Sequence, residues 1–339
     1  MVSAVKHIIR RAVEGVIAPF APLTWRARPA PRLLVLMYHR VLPAEHGDRA
    51  IEQPGMYVSP ATLDMHLRVL QQHFTLIHLD EWVTRAAAGD SLPRQACALT
   101  FDDGWRDNFE YAFPILRRHA APATIFLVSG MTGTDTEFWP NRLARTLVRL
   151  RPGVPLPGRL HDLLAATIGH ARSVGSWSLE DLDRAIGLAK QLGDEHIVAA
   201  LDEMDAGLGS PSDTRAVLDE SELRIMASSG LVRFGSHTRT HRRFQGDLPP
   251  EVLEREIAGS REDIVARVGK AGVGVFCYPN GDTTQAAVDV VRRNYSAAVT
   301  TQKGWHRPGA DLCLMRRVGL HEDISNRPAS FLARVSCFV

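Results

Sequence analysis

The chain has 339 residues, 45% of them hydrophobic and 23% charged, enough to bury the core of one large α/β domain or two smaller ones. A formal net charge of +2 gives no electrostatic basis for a nucleic-acid partner. The cysteines at 97, 277, 313 and 337 are scattered without C-x-x-C spacing, which argues against a cysteine zinc site and against a disulfide scaffold.

Residues 1–36 carry charges at Lys6, Arg10, Arg11, Glu14, Arg26, Arg28 and Arg32 and no uninterrupted apolar stretch of signal-peptide length, so the default expectation is a cytoplasmic protein. Val2, Val5, Ile9, Val13, Val16, Ile17 and Phe20 can share one helical face. Two readings stay open: a helix packed on the domain, or a basic amphipathic helix making peripheral contact with an anionic membrane through residues 1–20. The proline- and arginine-rich residues 21–32 read as a linker, so 1–32 stand apart from the domain that follows.

Leu33 to His39 is a strand that ends in a histidine. Ser59-Pro60 opens a helix to about Phe74, with Ser59 capping and Leu63, Leu67 and Leu70 on one face. A short strand (75–78) and a helix (80–88) precede the apolar run Ala96 to Leu99. Helix 113–119 and strand 123–128 continue the alternation of strand and helix, which indicates a parallel sheet or barrel. Residues 134–215 break the rhythm with helical segments and almost no strand signal, and read as a helical insertion. The alternation resumes with helix 219–229, where Asp219 and Glu222 form a capping-box pattern, strand 231–234, helix 249–268, strand 273–278, helix 284–294, strand 296–301 and a strand-like piece at 312–320. Residues 326–339 read as a tail.

Three polar clusters each follow an apolar strand. Thr100-Phe101-Asp102-Asp103-Gly104 places two carboxylates side by side, which is costly unless a cation stands beside them or one keeps a proton. His237 and His241 are four apart, a spacing that on a helical turn brings two imidazoles together over one metal. The third cluster is the turn Pro279 to Asp282. In a parallel barrel the strand C-termini open on one face, so the clusters converge on one pocket.

T-F-D-D-G at 100–104, S-H-T-x-x-H at 236–241 and F-x-Y-P-x-G at 276–281, in that order, resemble the motifs of the polysaccharide deacetylase (NodB-homology) family. The likeness runs from about Leu33 to Leu320. It implies a distorted, seven-stranded, TIM-like parallel (β/α) barrel over 33–325, and a divalent metal, most often Zn2+, with Co2+, Ni2+ or Fe2+ as other occupants. It also implies hydrolytic removal of N-acetyl groups from amino sugars of a glycan or of a lipid- or nucleotide-linked precursor. Carried over, Asp103, His237 and His241 would ligate the metal, Asp102 would be the general base, and the backbone N–H of Asn280 would face the oxyanion. Tyr278 and Trp305 are candidate substrate contacts.

Two departures from the family pattern bear on the site. Cys277 stands where many members have an arginine that orients the base; Arg317 is the candidate replacement, with Arg316 second. The family's late Leu-x-His motif does not fit Val318-Gly319-Leu320-His321, whereas Met37-Tyr38-His39 resembles a branch in which that motif has moved to the first strand. His39 is therefore the expected general acid, with His321 in reserve. Arg242 replaces a proline usual after the second histidine, without consequence for ligation. Hydrolysis of small non-sugar amides, a silent glycan-binding barrel and a non-haem iron oxygenase are the alternatives; the paired aspartates and the ordered motifs favour the deacetylase.

Overall fold

The computed structural model describes residues 15, 17–26, 31–150, 156–174, 176–208, 215–269 and 273–336. Its centre is a closed barrel of seven parallel strands: β1 (Arg32–Tyr38), β2 (Gln95–Phe101), β3 (Ala123–Leu127), β4 (Val232–Ser236), β5 (Val275–Cys277), β6 (Ala297–Lys303) and β7 (Met315–Gly319). Each of these strands pairs with the next, and β1 also pairs with β7, which closes the ring. The β1–β2 register runs unbroken from Arg32 opposite Gln95 to Tyr38 opposite Phe101. The short strand Thr75–Leu76 pairs with the start of β2.

Strands buried on both faces explain the continuous apolar runs. Side chains alternate along each strand. Leu33, Val35, Ala96, Ala98, Phe126, Val275, Cys277, Val299 and Met315 form one cluster drawn from around the ring, which is the barrel interior, with Trp82 packed among them. Leu34, Leu36, Cys97, Leu99 and Ile125 point outward under the helices Pro60–His73 and Phe113–Arg118. The same parity carries the even-numbered series 96, 98, 100 to Asp102, so that carboxylate enters the barrel mouth from the interior face. The caps read from sequence are present: Ser59 accepts from the Thr62 N–H, and Asp219 and Glu222 form a reciprocal box.

Three boundaries differ from expectation. The stretch read as a linker contains the helix Ala21–Arg26, whose Trp25 is buried against Phe74 and Trp305. Residues 326–339 hold the helix Pro328–Val335; Phe331 and Val335, four apart, bury one face in the outer core, and Phe331 stacks on His66 at 4.1 Å. The helical unit comprises Asp135–Ala216 together with Ala44–Met56, a stretch expected to belong to the barrel. Within that unit Leu143, Leu147, Leu164, Ile186, Ile197 and Leu201 form the core, Ile51 joins it, and Asn141 donates to Glu52 at 2.8 Å. The amphipathic pattern over residues 2–20 falls mostly outside the described residues. Among the described residues no helix is long and apolar enough to cross a membrane.

Candidate active site

The end of β2 supplies the two aspartates. Asp102 is 2% exposed and is held by Arg317 of β7, itself 1% exposed. The guanidinium is bidentate, with Nη1 donating to Oδ1 at 2.7 Å and Nη2 to Oδ2 at 2.8 Å. Its remaining N–H groups reach the Thr300 carbonyl (2.9 Å), the Thr100 hydroxyl (3.1 Å) and Cys277 Sγ (3.2 Å). A planar fork buried among acceptors suits arginine and not lysine. Burial pushes the Asp102 carboxyl up, but the Arg317 charge and hydrogen bonds outweigh it and hold it below the usual carboxylate range. Arg316 is exposed and donates to the Lys303 carbonyl, so it has no place in the site.

Asp103 follows with φ 75°, a left-handed conformation that turns its carboxylate away from Asp102's direction. Gly104 continues the turn at φ 73°, where a Cβ would lie 2.8 Å from Leu127 Cδ2. Asp103 Oδ2 accepts from Trp105 Nε1 at 2.9 Å. Asp103 Oδ1 lies 3.4 Å from His237 Nε2 and 3.5 Å from His241 Nε2. Burial raises the Asp103 pKa, yet the hydrogen bond from His237 and the charges of His39 and His241 leave it well below the ordinary value. Burial likewise opposes a charge on His237, while Cys277, Asp103 and Asp102 around it raise its pKa well above the usual imidazole value.

The histidines do not sit on a helical turn as their spacing suggests. They come from an irregular segment after β4, with Thr238 at φ 65° and His241 at φ 61°. His237 is fixed at the strand end: its N–H bonds the Leu127 carbonyl at 2.8 Å, and its Nδ1 donates to the Cys277 carbonyl at 2.8 Å. That bond leaves Nε2 as the free ligand atom, the outer-shell arrangement usual for a metal-binding histidine.

The donor set fits a divalent cation. Ligand bonds of about 2.1 Å in tetrahedral geometry separate ligand atoms by about 3.4 Å. Two neutral nitrogens and one carboxylate oxygen leave a coordination position open. A second cluster, Asp102, His237 and Cys277, is also compact. It is a poor cation site, because both Asp102 oxygens already take the Arg317 guanidinium and His237 Nδ1 is engaged.

His39, just past β1, has Nε2 3.9 Å from Asp102 Oδ2 and a side chain 18% exposed. Its surroundings are braced by a network absent from the sequence reading. Arg40 Nε donates to Asp107 Oδ2 at 2.8 Å, and its guanidinium lies 4.2 Å over the Trp105 ring. Asp107 Oδ1 takes the Val41 N–H, and Asn108 donates to the His39 carbonyl at 2.9 Å. An indole two residues after a buried aspartate was the available signal for Trp105. His321 instead opens the helix Glu322–Ser325, where its carbonyl receives the Ser325 hydroxyl at 2.7 Å.

Asn280 is exposed, at φ 55°, in the turn after β5. Gly281 follows at φ 75°, where a Cβ would collide with Thr301 Oγ1. The two residues named as substrate contacts are placed otherwise. Tyr278 is fully buried, edge-on to Phe276 at 5.1 Å. Trp305 packs between Trp25 and Phe74 and donates Nε1 to the Val335 carbonyl at 2.7 Å. Both serve the core, as large aromatic side chains of mixed polarity commonly do.

Residues 89–298 match the family pattern described as polysaccharide deacetylase, well over half of the chain. The chain belongs to the polysaccharide deacetylase family. A protein named as the polysaccharide deacetylase YxkH of Bacillus subtilis is 27% identical over 107 residues, 31% of this chain and 35% of that protein. The chain thus spans about a third of that curated relative. Two solved structures share the fold of this polysaccharide deacetylase family member. One is the Streptococcus pyogenes deacetylase PplD in complex with acetate (TM-score 0.60, 18% identity, 90% of this chain and 99% of that one). The other is IcaB from Ammonifex degensii (TM-score 0.58, 18% identity, 91% and 98%).

Proposed function

We propose that the chain is a divalent-metal-dependent hydrolase that removes N-acetyl groups from amino sugars of a glycan or of a lipid- or nucleotide-linked precursor. The observation that carries this reading is the division of the two aspartates: Asp103 faces His237 and His241, while Asp102 is clamped by Arg317. Asp103, His237 and His241 would hold the cation, which would polarise the acetyl carbonyl and ease deprotonation of water. Asp102, kept ionised by Arg317, takes the proton from the attacking water as its oxygen bonds to the acetyl carbon. The Asn280 N–H donates to the oxygen that gains charge. His39 gives a proton to the nitrogen as the C–N bond breaks, so the products are acetate and a free amine.

Acetate release from a panel of N-acetylated sugars and small amides, before and after chelation, tests this reading. Acetate from amino sugars that stops on chelation and returns with Zn2+ supports it; release from non-sugar amides alone moves the chain to a different substrate class. Asp102→Asn should abolish turnover and spare metal uptake, and loss of the metal instead would mean the aspartate roles are reversed. Peripheral membrane contact through residues 1–20 is part of the same proposal, supported by the 60% exposure of Phe20 beside the basic N-terminal sequence. Deleting residues 1–20 should lower binding to anionic vesicles and leave activity on soluble sugars.

A further inference from the structure

The segment that carries both histidine ligands is not supported by secondary structure. Two of its residues, Thr238 and His241, hold positive φ, a costly conformation that persists only where the surroundings impose it. His237 is anchored by the strand end and by the Cys277 carbonyl, and its side chain is 3% exposed. His241 lies at the far end of the segment and is 25% exposed. Its position depends on the backbone between the two ligands.

That backbone is held from the helix Pro250–Val268. Glu256, Ser260 and Asp263 are spaced four and three apart and lie along one face. Ser260 pairs its hydroxyl with Ser236, the last residue of β4, at 2.7 Å. Asp263 takes the Ser129 hydroxyl at 2.8 Å and the Arg239 guanidinium at 2.9 and 3.0 Å. Glu256 is the most committed of the three, 1% exposed and thus stripped of water. Its Oε2 takes the N–H of Arg239 (3.1 Å), the N–H of Thr240 (2.9 Å) and the Thr240 hydroxyl (3.1 Å). These are the two residues directly before His241. On the opposite side, the N–H groups of Ser129 and Gly130 donate to the carbonyls of Thr238 and Arg239 at 3.1 and 2.8 Å. At Gly130 a Cβ would lie 2.6 Å from the Arg239 oxygen, so that approach excludes other residues.

A buried carboxylate is costly unless its oxygens are satisfied. Here a buried carboxylate spends all three hydrogen bonds of Oε2 on the irregular segment between two ligands, while Oε1 lies 3.7 Å from Arg255 Nε. We propose that Glu256 is a positioning residue for the metal: by fixing the Arg239 and Thr240 amides it sets His241 Nε2 against Asp103 Oδ1, and so sets metal affinity. This inference rests on the reading of Asp103, His237 and His241 as ligands.

Competition between the full-length protein and a chromophoric chelator for Zn2+ tests it, with circular dichroism to confirm folding. Glu256→Ala should bind Zn2+ roughly 10–100-fold more weakly, the range for loss of an outer-shell partner. Glu256→Gln, which keeps an oxygen able to accept the same amides, should recover most of the affinity. In a His241→Ala background, Glu256→Ala should add little further loss, because the residue it positions is gone. Wild-type affinity in Glu256→Ala, or a full additional loss in the His241→Ala background, would overturn the inference. If Glu256→Ala does not fold, Glu256→Asp reads the same quantity: shorter by one methylene, it should weaken Zn2+ binding, and unchanged affinity would again overturn the proposal. Wild-type protein that takes up no Zn2+ defeats the ligand reading itself, an outcome distinct from equal uptake by wild type and variant.

Discussion

Replacing Arg317 with methionine removes the guanidinium that is hydrogen-bonded to both Asp102 oxygens while roughly keeping volume. The pair is buried, with relative side-chain exposures of 0% and 3%, so the stranded carboxylate has no water to replace the two lost hydrogen bonds. Breaking one side of a buried pair costs about 3–5 kcal/mol, far more than the roughly 0–1 kcal/mol of an exposed pair. Arg317→Met should therefore lower the urea midpoint strongly and abolish acetate release. Arg317→Lys should do part of the same, since an ammonium cannot reproduce the fork. Adding Asp102→Asn to Arg317→Met removes the stranded charge and should return about 2 kcal/mol or more of the loss, although the double variant stays inactive. An unfolding free energy for Arg317→Met within about 1 kcal/mol of wild type, or no recovery in the double variant, would refute the claim that this ion pair is what keeps the base charged.

Trp105→Phe retains a ring beneath Arg40 but deletes the Nε1 donor to Asp103 Oδ2, and should weaken Zn2+ binding by about 10-fold with little change in stability; equal affinity would show that the indole does not orient the ligand. His66 accepts from the Tyr38 hydroxyl at Nδ1 and donates from Nε2 to the Ser325 carbonyl, so the folded state needs a neutral ring. Burial pushes its pKa down from 6.5 to about 4, against the opposing pull of the Ser325 bond. Between those values the unfolded chain takes up a proton that the folded chain refuses. The stability contributed by the neutral ring is present above pH 6.5 and is lost as pH falls toward 4, by about 3 kcal/mol in all. Unfolding midpoints at pH 8, 6.5 and 5 should show this slope in wild type and a shallower one in His66→Gln; parallel slopes would contradict it.

The barrel was legible because its strands are buried on both faces and so read as apolar runs, each ending in a polar cluster. Position at the strand ends sufficed to expect Asp102, Asp103, His237 and His241 at one barrel mouth, where the fold brings them together. Arg317 could be nominated only through the missing arginine at Cys277; the register that lays β7 beside β1, and so brings Arg317 to Asp102, is a long-range fact. Trp305 and Tyr278 lie in the core, not at the substrate; a buried aromatic residue and a sugar-stacking one look alike in sequence. Residues 326–339 looked like a tail because one short helix gives a weak periodic signal, though Phe331 and Val335 complete the outer core. Glu256 stayed hidden among the charges of the long helix 250–268: only the fold shows that its carboxylate is buried against the segment before His241.

The most direct test of the account is acetate release from N-acetylated amino-sugar oligomers by metal-stripped protein titrated with Zn2+. The account predicts no acetate from the stripped protein, a rise that saturates near one equivalent, and the same metal uptake with no acetate for Asp102→Asn. Full activity after stripping, or no acetate at any loading despite bound Zn2+, would contradict it.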